Sequence, residues 1–130
     1  MVYIHIITIH FFIALNTWII GVIKMNSNDT YVYINSAEEL ERMKQNPVYI
    51  LYFSSEDCNV CHSVFPKLLE LNETAKLPIG RIDVNQNLEI AGQHLVFNIP
   101  TILIFNENSE ILRESRFIDF SKLERILNLL

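Results

Sequence analysis

Val48-Tyr49-Ile50-Leu51-Tyr52-Phe53 runs into Ser54-Ser55-Glu56-Asp57 and then into Cys58-Asn59-Val60-Cys61. The first six residues are continuous, β-branched and aromatic. That is too short for an ordinary helix and fits a strand buried on both faces, as in the centre of an α/β sheet. The polar tetrapeptide breaks the strand. From Cys58 the apolar positions are Cys61, Val64, Phe65, Leu68 and Leu69, the i, i+3, i+4, i+7, i+8 pattern of a helix with one buried stripe. Pro66 lies inside that pattern and predicts a kink.

The flanking sequence extends the alternation. Tyr31-Val32-Tyr33-Ile34 is a short β-prone run. Ser36 with Glu39 forms a capping box, and the helix through Glu38–Arg42 is expected to stop near Asn46-Pro47. After Leu77-Pro78, Ile79 to Val84 reads as a strand with Asn85-Gln86-Asn87 as its exit turn, and Leu88 to His94 as a short helix. Pro100 leads into Thr101-Ile102-Leu103-Ile104-Phe105, a third core strand. Asn106-Glu107-Asn108-Ser109 reads as a hairpin turn, although it lacks the usual Gly. Ile111 to Phe117 pairs back as a more polar strand. Ser121 is the expected cap of a last helix with Leu123, Ile126, Leu127 and Leu130 as its buried stripe. The order βαβαβαββα predicts an α/β fold with a central mixed β-sheet flanked by helices. The parallel part comes from the crossovers and the antiparallel part from the terminal hairpin.

The chain has 130 residues, of which 50% are hydrophobic and 11% aromatic, enough for one domain with a real core and unlike a disordered chain. A formal net charge of −5 lacks the basic footprint of a nucleic-acid binder. Val2 to Ile23 contains no Asp, Glu, Lys or Arg, and the first charged side chain is Lys24. Residues 1–24 therefore read as a membrane anchor, with Lys24 favouring a cytoplasmic C-terminal flank, as an export signal, against which stand the lack of a basic front end and of a small-residue cleavage site, or as lying outside a working protein that begins at Met25. The domain proper is placed at 25–130. Asn28-Asp29-Thr30 and Asn72-Glu73-Thr74 match the glycosylation pattern, which implies nothing without export.

Two cysteines are too few for a disulfide-stapled scaffold or a four-cysteine zinc site, and enough for one redox pair. Cysteines three apart at a helix start have Cα atoms about 5 Å apart, within the range a disulfide needs. Cys58 is expected in the first turn, where unpaired N–H groups and the helix dipole favour a thiolate. Cys61 lies one turn further in, on the apolar stripe. The asymmetry makes Cys58 the nucleophile and Cys61 the resolving thiol. Two other chemistries use the same residues. Cys58-Asn59-Val60-Cys61-His62 matches c-type haem attachment, but no Met follows Met43 to serve as the usual second ligand, leaving only His94. Zinc on Cys58, Cys61, His62 and a carboxylate lacks the second ligand segment of a closed site.

The chain resembles the thioredoxin family from about Tyr31 to Leu130. The resemblance rests on the strand entering C-x-x-C, Pro66 five residues after the second cysteine, Arg81-Ile82-Asp83-Val84-Asn85-Gln86-Asn87, and Ile99-Pro100-Thr101 followed by strand, hairpin and helix. It implies a thioredoxin-like fold and a thiol–disulfide oxidoreductase, working as a reductant on protein or low-molecular-weight disulfides. A thiol reductase or another thiol would recharge it, with no dissociable cofactor and no metal. It further implies a cis bond before Pro100 and a substrate-binding surface of Ile99, Pro100, Asn59 and Val60. A cytoplasmic setting goes with reduction, and membrane attachment through residues 2–23 is the alternative.

Departures from the family pattern are Tyr52 where a buried acid is usual, Asp57 for the tryptophan before the first cysteine, Asn59-Val60 for Gly-Pro, and Leu95 and Asn98 for glycines. Asp57 is expected to oppose the Cys58 thiolate and a protonated His62 to favour it. These departures motivate a rival reading, a thioredoxin-fold binding or adaptor module with little or no redox turnover.

Overall fold

The computed structural model describes residues 31–130. The elements are β1 (Tyr31–Tyr33), α1 (Ala37–Met43), β2 (Val48–Ser54), α2 (Asn59–Leu71), β3 (Ile79–Asp83), α3 (Leu88–Gln93), β4 (Thr101–Asn106), β5 (Ser109–Ser115) and α4 (Phe120–Leu129). This is the βαβαβαββα order expected from the pattern. Among the described residues no helix is long and apolar enough to cross a membrane, and the apolar stretch 1–24 lies outside them.

One five-stranded sheet has the order β1-β3-β2-β4-β5. β1 and β2 run parallel to β3, whereas β4 is antiparallel to both β2 and β5. The antiparallel turn therefore comes one strand earlier than the hairpin. Between β3 and β4 lie the six-residue α3 and the segment 94–100, and together they return the chain to the end at which β3 leaves, so that Thr101 starts beside Phe53.

β2 is central, and its side chains alternate between two cores as strand geometry requires. Ile50 and Tyr52 join Phe65 and Leu68 of α2 and Leu123 and Leu127 of α4 on one face. Tyr49, Leu51 and Phe53 join Leu40 and Met43 of α1 and Ile90 and Ala91 of α3 on the other. Facing apolar layers on both sides explain why the run from Val48 to Phe53 has no polar break.

Local signals are met with some shifts. The Ser36 hydroxyl accepts from the Glu39 N–H at 3.2 Å, while the Glu39 carboxylate reaches back one residue further than a strict capping box, to the Asn35 N–H at 2.6 Å. The hairpin manages without Gly because Glu107 (φ 49°) and Asn108 (φ 61°) both adopt the left-handed conformation of a two-residue type I′ turn. β5 spans Ser109–Ser115 rather than Ile111–Phe117, since the tight turn starts the pairing at once. The last helix is capped by Asp119, not Ser121. The Asp119 carboxylate accepts from the Lys122 N–H at 3.0 Å, and the Asp119 N–H is held by Glu114 at 3.2 Å. Starting two residues earlier leaves Leu123 and Leu127 buried, Ile126 half-buried, and Leu130 exposed beyond the helix.

Candidate active site

The two cysteines sit where β2 hands over to α2. Cys58 is the N-cap residue, with extended backbone (φ −90°, ψ 100°), rather than part of the first turn. Its sulfur accepts from the Cys61 N–H at 3.2 Å, taking the place of a capping oxygen. Cys61, in the first turn, is fully buried against Tyr52, Phe65 and Ile102, whereas Cys58 is half-buried. The Cα atoms are 5.3 Å apart and the sulfurs are bonded as a disulfide. Asn59 and Val60, between them, are exposed. Pro66 is accommodated inside α2, on its exposed side.

Tyr52 lies directly beneath. Its hydroxyl donates to the Cys61 carbonyl at 2.8 Å, and its ring stacks on Phe65 with centroids 5.0 Å apart. Burial pushes its pKa up to about 12, with the Arg81 charge pulling weakly the other way. The hydroxyl is therefore a hydrogen-bond donor at neutral pH and not a base.

Asp57 is exposed and points its carboxylate at the Ser55 hydroxyl, 2.7 Å away. That bond, with a further one from its own backbone N–H, holds the Asp57 carboxyl below its usual 3.8. The His62 ring is exposed, with Nε2 2.7 Å from the Glu56 carbonyl. A carbonyl only accepts, so Nε2 carries the proton in this bond, and His62 ties the loop before Cys58 to the first turn of α2.

The Ile99–Pro100 bond is cis. Antiparallel pairing sets Thr101 beside Phe53, so Pro100 lies at the end of the sheet from which the Cys58 loop departs. Pro100 is buried and Ile99 half-buried. The segment before it is fastened on two sides. Arg113 donates to the carbonyls of His94 at 2.8 Å and Leu95 at 3.2 Å. Arg116, in the left-handed region at φ 67°, donates its N–H to the Pro100 carbonyl at 2.8 Å. Leu95, Phe97 and Phe117 are left exposed nearby in sequence.

Three features were not among the candidates read from sequence. Arg81, Tyr33 and the cleft they help to line, about 540 Å³ in volume, flank the Cys58 loop on the β1 side. The signal for them is the parallel pairing of Tyr33 with Arg81, which becomes visible only once the register is known. Among the described residues no three His, Cys, Asp or Glu side chains are grouped as a metal would need.

Residues 31–128 match the family model described as Thioredoxin. The "Thioredoxin-like protein YdfQ" of Bacillus subtilis is 37% identical over 86 residues, covering 65% of this chain and 77% of that protein. A thioredoxin of Chlamydia pneumoniae is 30% identical over 100 residues, 75% of this chain and 96% of its own. Among solved structures, thioredoxin 1 of Thermosipho africanus superposes with a TM-score of 0.58 at 31% identity, covering 62% of this chain and 91% of its own. The thioredoxin of Trypanosoma brucei brucei gives 0.69 at 18% identity over 82% of this chain and 96% of its own, a likeness of fold. With the match running through the cysteine pair and the cis-proline segment, the chain belongs to the thioredoxin family of thiol–disulfide oxidoreductases.

Proposed function

We propose that residues 25–130 form a dithiol reductant in which Cys58 attacks and Cys61 resolves. The observation that carries this is the unequal setting of the two sulfurs. The half-buried Cys58 sulfur is an N-cap that accepts the Cys61 N–H, the arrangement that favours a thiolate at a helix start. Cys61 is buried and within disulfide distance.

The chemistry balances on the pair alone. The Cys58 thiolate attacks one sulfur of a substrate disulfide, forming a mixed disulfide and releasing one substrate thiolate, which takes a proton from water. Cys61 then attacks the Cys58 sulfur, its proton leaving to water or to the departing substrate sulfur. The pair ends oxidised and the substrate has gained two electrons. A reductase or another thiol restores the dithiol. Asn59, Val60, Ile99 and Pro100 form the surface against which an extended substrate segment lies, the backbone of Ile99 being free to pair beside Cys58. The setting for net reduction is cytoplasmic, with no dissociable cofactor.

A second reading is favoured by one observation. Tyr52 fills the place of the buried acid and, with its pKa near 12, accepts no proton at neutral pH. A binding or adaptor module would tolerate that. Insulin reduction driven by dithiothreitol separates the two readings. The dithiol account expects turnover by the wild type and none by Cys58→Ser. Equal inactivity of both would give the adaptor reading the field.

A further inference from the structure

The cleft beside the Cys58 loop takes no part in the exchange set out above. It lies at the carboxyl ends of three neighbouring parallel strands, β1, β3 and β2, and is lined by Tyr33, Ser54, Ser55, Glu56, Arg81 and Asp83 among others. After β3 and β2 the chain passes to helices on opposite faces of the sheet, and strand ends that part in this way leave room for ligands. At about 540 Å³ the cleft falls within the size range of small-molecule sites.

Arg81 sets its chemistry. The guanidinium carbon lies 4.4 Å from the centroid of the Phe65 ring and 5.4 Å from that of Tyr33. Nη1 donates to the Tyr33 hydroxyl at 3.3 Å. No ion pair to Arg81 occurs among the described residues. The side chain is thus oriented by two aromatic faces, with most of its donor fork unspent. A held fork of this kind matches a carboxylate in two-point fashion. Glu56 and Asp83 line the same cleft, so a simple anion meets opposing charge there, whereas a zwitterion meets partners for both of its ends.

We propose that this cleft binds the α-amino-acid end of a low-molecular-weight disulfide of the cystine type, with its carboxylate on Arg81 and its ammonium at Glu56 and Asp83. The sulfur end then faces the loop that runs from Ser55 into Cys58. The exchange itself rests on the dithiol reading; the binding does not. In the exchange, the Cys58 thiolate breaks the cystine S–S bond, forms a mixed disulfide with one cysteine and releases the other. Cys61 then closes the protein disulfide and releases the second cysteine. Two electrons pass to cystine, and dithiothreitol in the assay returns them to the pair.

Binding is tested with S-methylcysteine, a thioether that cannot exchange. Titration into the reduced protein is expected to give saturable NMR shifts at the Arg81 Nε–H and at the Ser55 and Glu56 amides, and the amide shifts are expected to be lost in Arg81→Gln. Absence of those shifts in the wild type overturns the proposal whatever the turnover. Turnover is then read as the ratio of kcat/KM for cystine to that for the uncharged bis(2-hydroxyethyl) disulfide. That ratio is expected to fall about tenfold in Arg81→Gln, the scale of one charge-assisted hydrogen bond, and to recover in part in Arg81→Lys. An unchanged ratio also overturns it. If S-methylcysteine binds and neither disulfide is reduced, the site stands as a binding site, and it is the dithiol reading that has failed.

Discussion

Replacing Tyr52 by phenylalanine removes one oxygen from the floor of the active site and little else. The hydroxyl donates to the Cys61 carbonyl at 2.8 Å, in a place with no exposure to solvent. That carbonyl sits inside α2 and has a second lone pair for its helical partner, so it is not orphaned by the change. The loss is then that of one ordinary buried hydrogen bond, about 1 kcal/mol. For a domain near 100 residues this corresponds to a fall in Tm of about 4–8 °C. The effect on rate separates two roles. With a pKa near 12, about one Tyr52 in 10⁵ is ionised at pH 7, too few for it to act as the base that activates Cys61. Tyr52→Phe is therefore expected to keep kcat/KM for insulin reduction within about threefold of wild type, whereas loss of a general base costs about 10²–10⁴-fold. The assays are differential scanning calorimetry and dithiothreitol-driven insulin reduction. An unchanged Tm with a drop in kcat/KM beyond about tenfold would show instead that the hydroxyl moves a proton.

The same residue shapes alkaline stability. Its folded pKa of about 12 lies above the unfolded value of 10.0, so its contribution is intact below pH 10 and is lost as pH rises toward 12. The loss reaches about 2–3 kcal/mol at most, and Tyr52→Phe is expected to flatten that limb of a urea-melt series between pH 9 and 12. Gly80 packs where an added Cβ would run into the Ile34 side-chain end and crowd a Leu51 methyl at 3.1 Å. Gly80→Ala should cost about 1–3 kcal/mol by overpacking, read from the urea midpoint. Asp57 is held ionised by its bond from Ser55, and we expect that charge to oppose a neighbouring Cys58 thiolate. Asp57→Asn should raise the iodoacetamide alkylation rate of reduced Cys58 at pH 7 by about two- to threefold at low salt, and by less in 1 M salt.

Much of the fold was legible because its signals are local and periodic. The run from Val48 to Phe53 had to be central, since each of its two alternating side-chain sets needs a core of its own. Cys61, Val64, Phe65 and Leu68 all face inward as the helical spacing required. The early antiparallel turn at β4 was hidden because it depends on where α3 and the segment 94–100 together return the chain. The choice of Asp119 over Ser121 as cap was hidden because both residues suit the role. What decides between them is Glu114, which accepts from the Asp119 N–H and pairs with Lys122 at 2.7 Å.

At the site, the spacing of Cys58 and Cys61 carried their closure, and the family resemblance carried the cis bond at Pro100. The placement of Tyr52 as donor to Cys61 required knowing which face of β2 meets α2. Asp57 was legible as an adjacent charge, but its Ser55 partner was not. Arg81 was invisible as a site residue because its neighbours Tyr33 and Phe65 come from separate elements, brought together only by the sheet and the helix above it.

If Cys58 captures a substrate sulfur and Cys61 releases it, the captured state can be trapped by removing the second thiol. Reduced Cys61→Ser protein is mixed with a protein disulfide such as insulin, quenched in acid and analysed by intact and peptide mass spectrometry. A mixed disulfide is expected at Cys58 that persists in Cys61→Ser, is short-lived in wild type and is absent from Cys58→Ser. No adduct at Cys58 under conditions in which the reduced protein is folded would contradict it.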